Sequence, residues 1–157
     1  MRLKLVAVGR RMPSWVEAGV EDYRRRFSGG CTLEIVPVEA APRRKTTDLG
    51  RAKAEEGARL LKAAEGCHKI ALDIRGRPWS TEELAERLDH WIRHGTDTAL
   101  IIGGADGLDP ATLAACPEHW SLGPLTLPHP LVRLIVSEQL YRAWSLRQGH
   151  PYHRGAP

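Results

Sequence analysis

Strand-like and helix-like patterns alternate along the chain, and this alternation constrains the fold more than any other feature. Apolar segments typical of strands occur at Leu3–Gly9, Cys31–Val38, Lys69–Ile74 and Thr98–Ile102. Stretches with helical spacing of apolar residues separate them. Because strands that alternate with helices usually form parallel sheets, the sequence predicts an α/β fold, a mostly parallel sheet flanked by helices. No break in composition divides residues 1–157, so we expect a single domain.

The predicted elements also carry boundary signals. Pro37 has no N–H to donate, which indicates an edge strand or a strand end for the second segment. The first helix is expected to run from Ser14 to about Phe27. A serine followed three residues later by glutamate is typical of a capping box. This spacing predicts helix starts at Ser14 with Glu17 and at Ser80 with Glu83. Residues that commonly cap helices predict two more starts, at Thr47 or Asp48 and at Asp109 with Pro110.

The last helix carries two apolar stripes after Pro130, a residue suited to a first helical turn. One stripe comprises Leu131, Leu134, Ile135 and Tyr141, and the other comprises Val132, Val136, Leu140, Ala143 and Trp144. A helix that covers a sheet from one side needs only one such stripe. The second predicts a partner subunit, and hence a homodimer.

Composition excludes several classes of protein. No apolar run approaches the ~20 residues that cross a bilayer, and the first residues lead directly into a strand rather than a signal segment. The three cysteines lack the spacing of a disulfide framework or a metal site, which suits the reducing cytoplasm. The phosphate-loop, dinucleotide-binding and nucleophile-elbow motifs are absent as well. We therefore expect a cytoplasmic protein with no metal site and no membrane segment.

Basic residues follow three of the predicted strands, at Arg10-Arg11, at Arg43-Arg44-Lys45, and at Arg75 and Arg77. The net charge of +4 is too modest to identify a polyanionic partner by itself. Parallel strands, however, bring their carboxyl ends to one edge of the sheet, where ligands usually bind. The pattern favours a basic rim facing a polyanion over scattered charges that merely face solvent.

Two segments indicate a binding site at that edge. Gly103, Gly104 and Gly107 follow the fourth strand, where glycine allows a close backbone approach to a ligand or a tight turn. The apolar loop 122–127, with Gly123-Pro124, is too hydrophobic for a solvent-exposed connection. Its buried backbone groups need partners. A flat heterocycle such as adenine could supply them, and burial against a second subunit is the alternative.

Six motifs, spread along the whole chain, identify a family resemblance: LVAVGRRMPSW at 5–15, LDIRGRPWS at 72–80, IIGGADGL at 101–108, SLGPLTLPHPLVR at 121–133, EQLYRAW at 138–144 and HPYHR at 150–154. They resemble the RlmH family, small SPOUT-class methyltransferases that act on a pseudouridine of bacterial large-subunit ribosomal RNA. Only Gly155-Ala156-Pro157 looks like an added tail.

The resemblance implies a C-terminal trefoil knot, a homodimer, and S-adenosylmethionine bound in bent form in the knot. Pro124 stands where the family has small residues with a free amide, and it cannot donate such a hydrogen bond. Carried over by motif, the cofactor contacts are Leu72, Gly103, Gly104, Leu122, Gly123, Pro124, Leu125, Thr126 and Leu127.

The implied reaction methylates N3 of a pseudouridine in 23S ribosomal RNA of the assembled ribosome. The ring nitrogen is protonated at neutral pH, so a side chain must assist its deprotonation. The candidates are Glu138, Arg142, Tyr152, His153 and Arg154, with His129 weighed as a turn residue instead. Glu138 and Arg142 could also form an ordinary intrahelical pair. The tail could equally be a frayed end.

Two other functions are compatible with the same residues. One is a non-catalytic RNA-binding or ribosome-assembly protein. The other is a transfer-RNA methyltransferase of the same fold, which the absence of an appended RNA-binding domain disfavours. Binding of S-adenosylmethionine separates the first of these from an enzyme.

Overall fold

The computed structural model describes residues 1–154, so the added tail expected at 155–157 lies outside the described residues. The strands are β1 (Arg2–Val8), β2 (Thr32–Val38), β3 (His68–Pro78), β4 (Thr98–Ile102) and β5 (Glu118–Ser121). The helices are α1 (Ser14–Arg24), α2 (Leu49–Ala63), α3 (Thr81–Arg93), α4 (Pro110–Ala114) and α5 (His129–Arg147). A 3-10 turn at Pro151–Arg154 follows α5.

The strands form one sheet in the order β2-β1-β4-β3-β5, and every neighbouring pair is parallel. The predicted α/β class, with a parallel sheet flanked by helices, is confirmed. β2 lies at an edge of the sheet, as Pro37 indicates. All the strands direct their carboxyl ends to the same edge, which is the usual place for a ligand. The knot implied by the resemblance stays a prediction.

Two apolar layers cover the sheet. On one face, Leu5 and Leu100 pack in a cluster with Leu88 of α3 and Leu140 of α5. On the other face, Val6, Ala71 and Ile101 pack with Leu60 of α2. β4 is buried along its whole length, because it lies between neighbours on both sides and beneath helices on both faces.

The sequence did not indicate β5, and it placed the end of β3 too early. Leu72 and Arg77 both pair with Trp120, so the register shifts by a bulge between them. Gly76 sits within the bulge, where an added Cβ would lie 2.7 Å from the carbonyl carbon of His119. Only glycine allows this approach. The bulge holds 73–75 at the carboxyl edge of the sheet.

Three of the four predicted helix starts are confirmed. Asp48 and Asp109 accept hydrogen bonds from the first turns of α2 and α4, and Ser80 with Glu83 forms a complete capping box on α3. The capping box predicted at Ser14 is wrong: Pro13 is the N-cap of α1, with no side-chain cap. Glu17 instead accepts a long bond from the Met12 amide, at 3.4 Å.

The chain itself covers most of the long helix α5. Val136, Leu140, Tyr141, Ala143 and Trp144 are buried by other parts of the same chain. A part of the apolar surface stays half-exposed near the start of the helix, at Leu131, Val132, Leu134 and Ile135. The two expected stripes are therefore mixed: Tyr141 of the first is buried with the second, and Val132 of the second stays half-exposed with the first. The surface open to a second subunit is confined to the first half of α5.

No helix within residues 1–154 is long and apolar enough to cross a membrane.

Replacing Ser80 with alanine is expected to lower the free energy of unfolding by about 1 kcal/mol, because the Glu83 amide loses its acceptor. Ser14→Ala is the matched control. It also begins a helix but is not the cap, so we expect a change below about 0.5 kcal/mol. Urea denaturation at equal protein concentration measures both variants, and equal losses would contradict the assignment of the caps.

Candidate active site

A cavity of about 700 Å³ opens at the carboxyl edge of the sheet. Three segments form it: the end of β3, the turn after β4, and the loop between β5 and α5. Its wall is mostly apolar, and the side chains of Asp73, Thr126 and His129 add polar groups. The residues that line it are Leu72, Asp73, Ile74, Ile102, Gly103, Gly104, Ala105, Gly107, Leu108, Trp120, Leu122, Gly123, Leu125, Thr126, Leu127, Pro128, His129 and Val132.

Eight of the nine residues expected to contact the cofactor line this cavity. Pro124 is the exception. It is exposed and lies outside the described wall of the cavity, so its missing N–H removes no donor from that wall. The cavity therefore brings together residues from three distant parts of the sequence. Its volume lies in the usual range for small-molecule sites, about 300–1,000 Å³.

The turn after β4 depends on its glycines. The Gly107 amide donates to the Gly104 carbonyl at 3.1 Å, and Gly107 has a φ of 77°. A Cβ on Gly103 would lie 2.7 Å from the carbonyl carbon of Gly107, so a larger residue would force the turn open. A Cβ on Gly104 would instead press on Val8 of β1, at 3.2 Å. Glycine at Gly104 thus serves the packing of the turn on the sheet.

Arg43 fastens this turn to the rest of the chain. Its Nε donates to Asp106 in the turn at 2.8 Å, its Nη2 to the buried Glu56 at 3.0 Å, and its Nη1 to the Ala41 carbonyl at 2.8 Å. The two carboxylates, Glu56 first, raise the pKa of Arg43. A guanidinium with all three nitrogens bonded holds its partners in one geometry. This cation of the expected basic rim has a structural role.

The other rim cations divide into paired and exposed groups. Arg10 pairs with Glu39 at 2.8 Å, and Arg75 lies 3.7 Å from Asp73. Arg11, Arg44, Lys45 and Arg77 are exposed and form no ion pair within residues 1–154. These four side chains are free to meet phosphates at the same edge as the cavity.

The start of α5 contributes a histidine and a buried arginine. His129 lines the cavity, and its Nδ1 is buried without a hydrogen-bond partner. Arg133 is 5% exposed and donates to the carbonyl oxygens of Val8 and Gly9, at 3.3 and 3.1 Å. Burial lowers the pKa of both groups, and for His129 the neighbouring Arg133 lowers it further. His129 is thus a neutral imidazole in the cavity wall at neutral pH.

Glu138, Arg142 and Tyr152 form one hydrogen-bonded cluster. Oε1 of Glu138 accepts from Nη2 of Arg142 at 2.6 Å and from the Tyr152 hydroxyl at 3.1 Å, while Oε2 accepts from Gln139 at 2.7 Å. The guanidinium of Arg142 also lies over the Tyr152 ring, 5.0 Å from its centroid. Glu138 and Arg142 thus form the ordinary intrahelical ion pair that their spacing predicts, and both side chains also contact Tyr152.

The described part of the tail is packed on the protein. Tyr152 lies in a T-shaped arrangement with Tyr141, at 4.7 Å between ring centroids, and its hydroxyl is 3.1 Å from that of Tyr23. Burial first, and then the Tyr23 bond, raise the pKa of Tyr152, which stays a donor. His153 is half-buried with an unpartnered Nδ1, and Arg154 is exposed.

The structure does not bring the cavity and this cluster together within one chain. Val132 lines the cavity, whereas Glu138 lies six residues later, about 9 Å along the helix axis. Tyr152 packs near the far end of α5. The predicted cofactor residues therefore lie in loops beside the start of α5, whereas Glu138 and Arg142 lie in the middle and second half of that helix.

The described residues supply neither a metal-binding group nor a cysteine to the cavity wall. In the described part of the chain, no group of three histidine, cysteine or acidic residues could hold a metal ion. The cysteines are free, and burial raises the pKa of Cys31 to about 11, which leaves its thiol protonated and unreactive at neutral pH.

Comparison with known proteins assigns the family. The family described as "Predicted SPOUT methyltransferase" matches residues 1–153. The chain belongs to the SPOUT methyltransferase family. A protein of Alkalilimnicola ehrlichii named ribosomal RNA large subunit methyltransferase H is 52% identical to this SPOUT methyltransferase over 154 residues, which cover 98% of this chain and 99% of the relative. The chain is thus a methyltransferase, and the resemblance inferred from its motifs is confirmed.

Solved structures agree on the fold. A probable methyltransferase from Bordetella pertussis superimposes with a TM-score of 0.57, covering 90% of this chain and 95% of its own, at 17% identity. A probable methylase family protein from Haemophilus influenzae gives a TM-score of 0.54, covering 99% of this chain and 71% of its own, also at 17% identity. At such identity the similarity supports the fold of the SPOUT methyltransferase and no more.

Sequence reasoning did not select several residues of the cavity wall. Trp120 belongs to β5, which the pattern did not reveal, and Asp73 was counted only as part of a strand. The sequence signal near Asp73 was Gly76, because a glycine inside a strand often marks a bulge. The prolines on both sides of His129 predict a turn residue, whereas the structure places His129 in the cavity wall.

The imidazole of His129 is expected to titrate below its ordinary pKa of about 6.5, because burial beside Arg133 opposes a second positive charge. The unfolded chain then binds this proton more readily. The free energy of unfolding should therefore fall as the pH falls below about 6.5, and fall less in His129→Gln. NMR titration, with that variant for assignment, measures the midpoint. A midpoint at or above 6.5 would contradict the expectation.

Proposed function

We propose that this SPOUT methyltransferase transfers a methyl group from S-adenosylmethionine to N3 of a pseudouridine in 23S ribosomal RNA of the assembled ribosome. The observation that carries the proposal is the cavity, which joins Leu72, the glycine turn and the apolar loop 122–127 at the carboxyl edge of the sheet. Ribosomal RNA is proposed as the substrate because the relative that is 52% identical over 98% of this chain is named a ribosomal RNA methyltransferase. Such an enzyme would work in the cytoplasm.

The cavity fits S-adenosylmethionine in size and chemistry. Its apolar wall suits an adenine ring, and a Cβ at Gly107 or Gly123 would meet nothing within 4 Å, so at both positions the backbone borders open space. Backbone groups there can approach a ligand closely. The residues that would hold the cofactor are Leu72, Gly103, Gly104, Leu122, Gly123, Leu125, Thr126 and Leu127, with Pro124 at the rim.

When bound, the cofactor supplies an electrophilic methyl group on a positively charged sulfur. The chain must then hold the acceptor base in line and remove the proton from its ring nitrogen. Glu138 already binds three side chains, Arg142, Gln139 and Tyr152, so we favour a role in holding them over that of the base. We assign it the positioning of Arg142 and Tyr152.

The remaining side chains of the cluster fit complementary roles. Tyr152 stays protonated, and its single hydroxyl proton would have to leave Glu138 to donate to a carbonyl of the base. Arg142 can balance the negative charge that develops on the ring when the proton leaves. His153 has an unpartnered ring nitrogen and belongs to the residue type that most readily exchanges a proton near neutral pH, so we assign it the proton. Arg154 is exposed at the surface and suits a phosphate contact.

These roles require a homodimer. The cavity borders the start of α5 and the cluster lies farther along it, and the half-exposed Leu134 and Ile135 lie between Val132 and Glu138 in sequence. If these half-exposed residues pack against a second copy, the cluster of one subunit can face the cavity of the other. The active site is then composite. Both subunits would share in binding the RNA, with the exposed cations of the rim as contacts.

The decisive assay measures methyl transfer from labelled S-adenosylmethionine to substrates from a strain lacking the corresponding gene. Intact ribosomes, isolated large subunits, free 23S RNA and transfer RNA are compared, and mass spectrometry identifies the modified base. We expect transfer to the assembled particle, at N3 of a pseudouridine. Transfer only to transfer RNA would favour the tRNA enzyme, and absence of both cofactor binding and transfer would favour a non-catalytic RNA-binding protein.

Ile135→Asp is expected to produce a folded monomer, because a charge would replace a half-exposed apolar side chain at the proposed interface. Methyl transfer should fall at least about 100-fold, since the composite site separates. Leu49→Asp is the matched control: Leu49 is 51% exposed at the start of α2 and lies away from that surface. Sedimentation velocity measures the state. An Ile135→Asp monomer with full activity would contradict the composite site.

A further inference from the structure

Asp73 is the only acidic residue among the described residues that line the cavity. Its side chain is 16% exposed, and apolar residues of the same wall surround it in sequence and in space, Leu72 and Ile74 among them. A carboxylate in such surroundings has lost much of its hydration. It therefore requires a positively charged or hydrogen-bonding partner.

The partners that the chain supplies to Asp73 are weak. The Arg75 amide donates to its Oδ1 at 3.4 Å, and Nε of Arg75 lies at 3.7 Å. Both distances exceed those of a charge-assisted hydrogen bond, about 2.7–2.9 Å. The Arg75 side chain is also 77% exposed, so water competes for it. Within residues 1–154, Asp73 makes no closer ion pair.

The fold places Asp73 in the cavity wall by a local irregularity. In a regular strand, consecutive side chains point to opposite faces, so Leu72 and Asp73 could not line the same cavity. The bulge of β3 begins after Leu72, and in consequence Leu72, Asp73 and Ile74 all border the cavity. The bulge is itself enforced by the close approach of Gly76 to β5.

The two forms of the proposed cofactor differ by one charge. S-adenosylmethionine has a positive sulfonium, whereas S-adenosylhomocysteine, the product left when the S–CH₃ bond breaks and its electron pair stays on sulfur, has a neutral thioether. Their adenosine and amino-acid portions are the same. A weakly partnered carboxylate in the cavity wall attracts the cationic form and gains little from the neutral form.

We infer that Asp73 is a specificity-determining residue that favours the charged methyl donor over the neutral product. The inference rests on the proposed function, because it takes the cavity as the cofactor site. It adds a role for this side chain in turnover. Once the methyl group has left, the attraction is lost, and the neutral product is released more readily than the charged donor.

The test compares binding of S-adenosylmethionine and S-adenosylhomocysteine to the full-length dimer by calorimetry. In Asp73→Asn, which keeps the shape of the side chain, we expect the affinity for S-adenosylmethionine to fall about tenfold and that for S-adenosylhomocysteine less than about twofold. Asp73→Glu retains the charge and should keep the preference for the donor. Sinefungin has a charged amine in place of the sulfonium group, so its affinity should change in these variants as that of S-adenosylmethionine does.

Glu39→Gln is the matched control for overall charge. Glu39 lies at the same edge of the sheet, pairs with Arg10, and is outside the described wall of the cavity. It should leave both affinities within about twofold. Equal losses for the two ligands in Asp73→Asn, or no loss for either, would overturn the inference while leaving the cofactor site standing. Failure of the wild-type protein to bind both ligands would overturn the proposed function itself.

Discussion

The buried guanidinium of Arg133 fixes the relation between the last helix and the sheet, and the site depends on that relation. A cation this deeply buried is costly unless hydrogen bonds replace its hydration. Its partners are the carbonyl oxygens of Val8 and Gly9, where β1 ends. The interaction therefore holds the start of α5 against the carboxyl edge, with His129 and Val132 in the cavity wall. Because the helix and the end of the strand are held together, this part of the cavity wall has a fixed position.

The fold was predictable where apolar periodicity is strong and local. β4 agrees with its predicted bounds, Thr98–Ile102, because a fully buried parallel strand is apolar at every position. The sequence did not predict β5, since three of its four residues, Glu118, His119 and Ser121, are polar. Those side chains find partners outside the strand: Glu118 binds His68, and His119 binds the Leu113 carbonyl. Such compensation by distant residues leaves no mark on the local pattern.

The candidate site divides in a similar way. The glycine turn stands out in sequence because it follows a buried strand, and the loop 122–127 because its composition contradicts an exposed connection. The expected burial of that loop is wrong at Leu125, which is 75% exposed. The family resemblance added Leu72. The roles of Asp73 and Arg43 depend on three-dimensional contacts between distant residues. Arg43 belongs to a basic cluster that suggested RNA, but its three bonds connect the glycine turn to the buried Glu56. Only the positions of the carboxylates distinguish a structural arginine from the exposed cations beside it.

The distribution of functional groups along α5 argues for assembly from two copies. Val132 in the cavity wall and Glu138 are separated by about 9 Å along a rigid helix, so the cavity and the cluster do not adjoin within one chain. Tyr152 is held at the far end by Glu138, Tyr23 and Tyr141, and these contacts oppose a swing of the tail toward the cavity of its own chain. A second copy packed on the half-exposed residues of α5 would bring a cavity to that end without any rearrangement. Rigid placement is what methyl transfer demands, because its rate depends on alignment of the reacting atoms. The packed tail is then an argument for the composite site rather than against it.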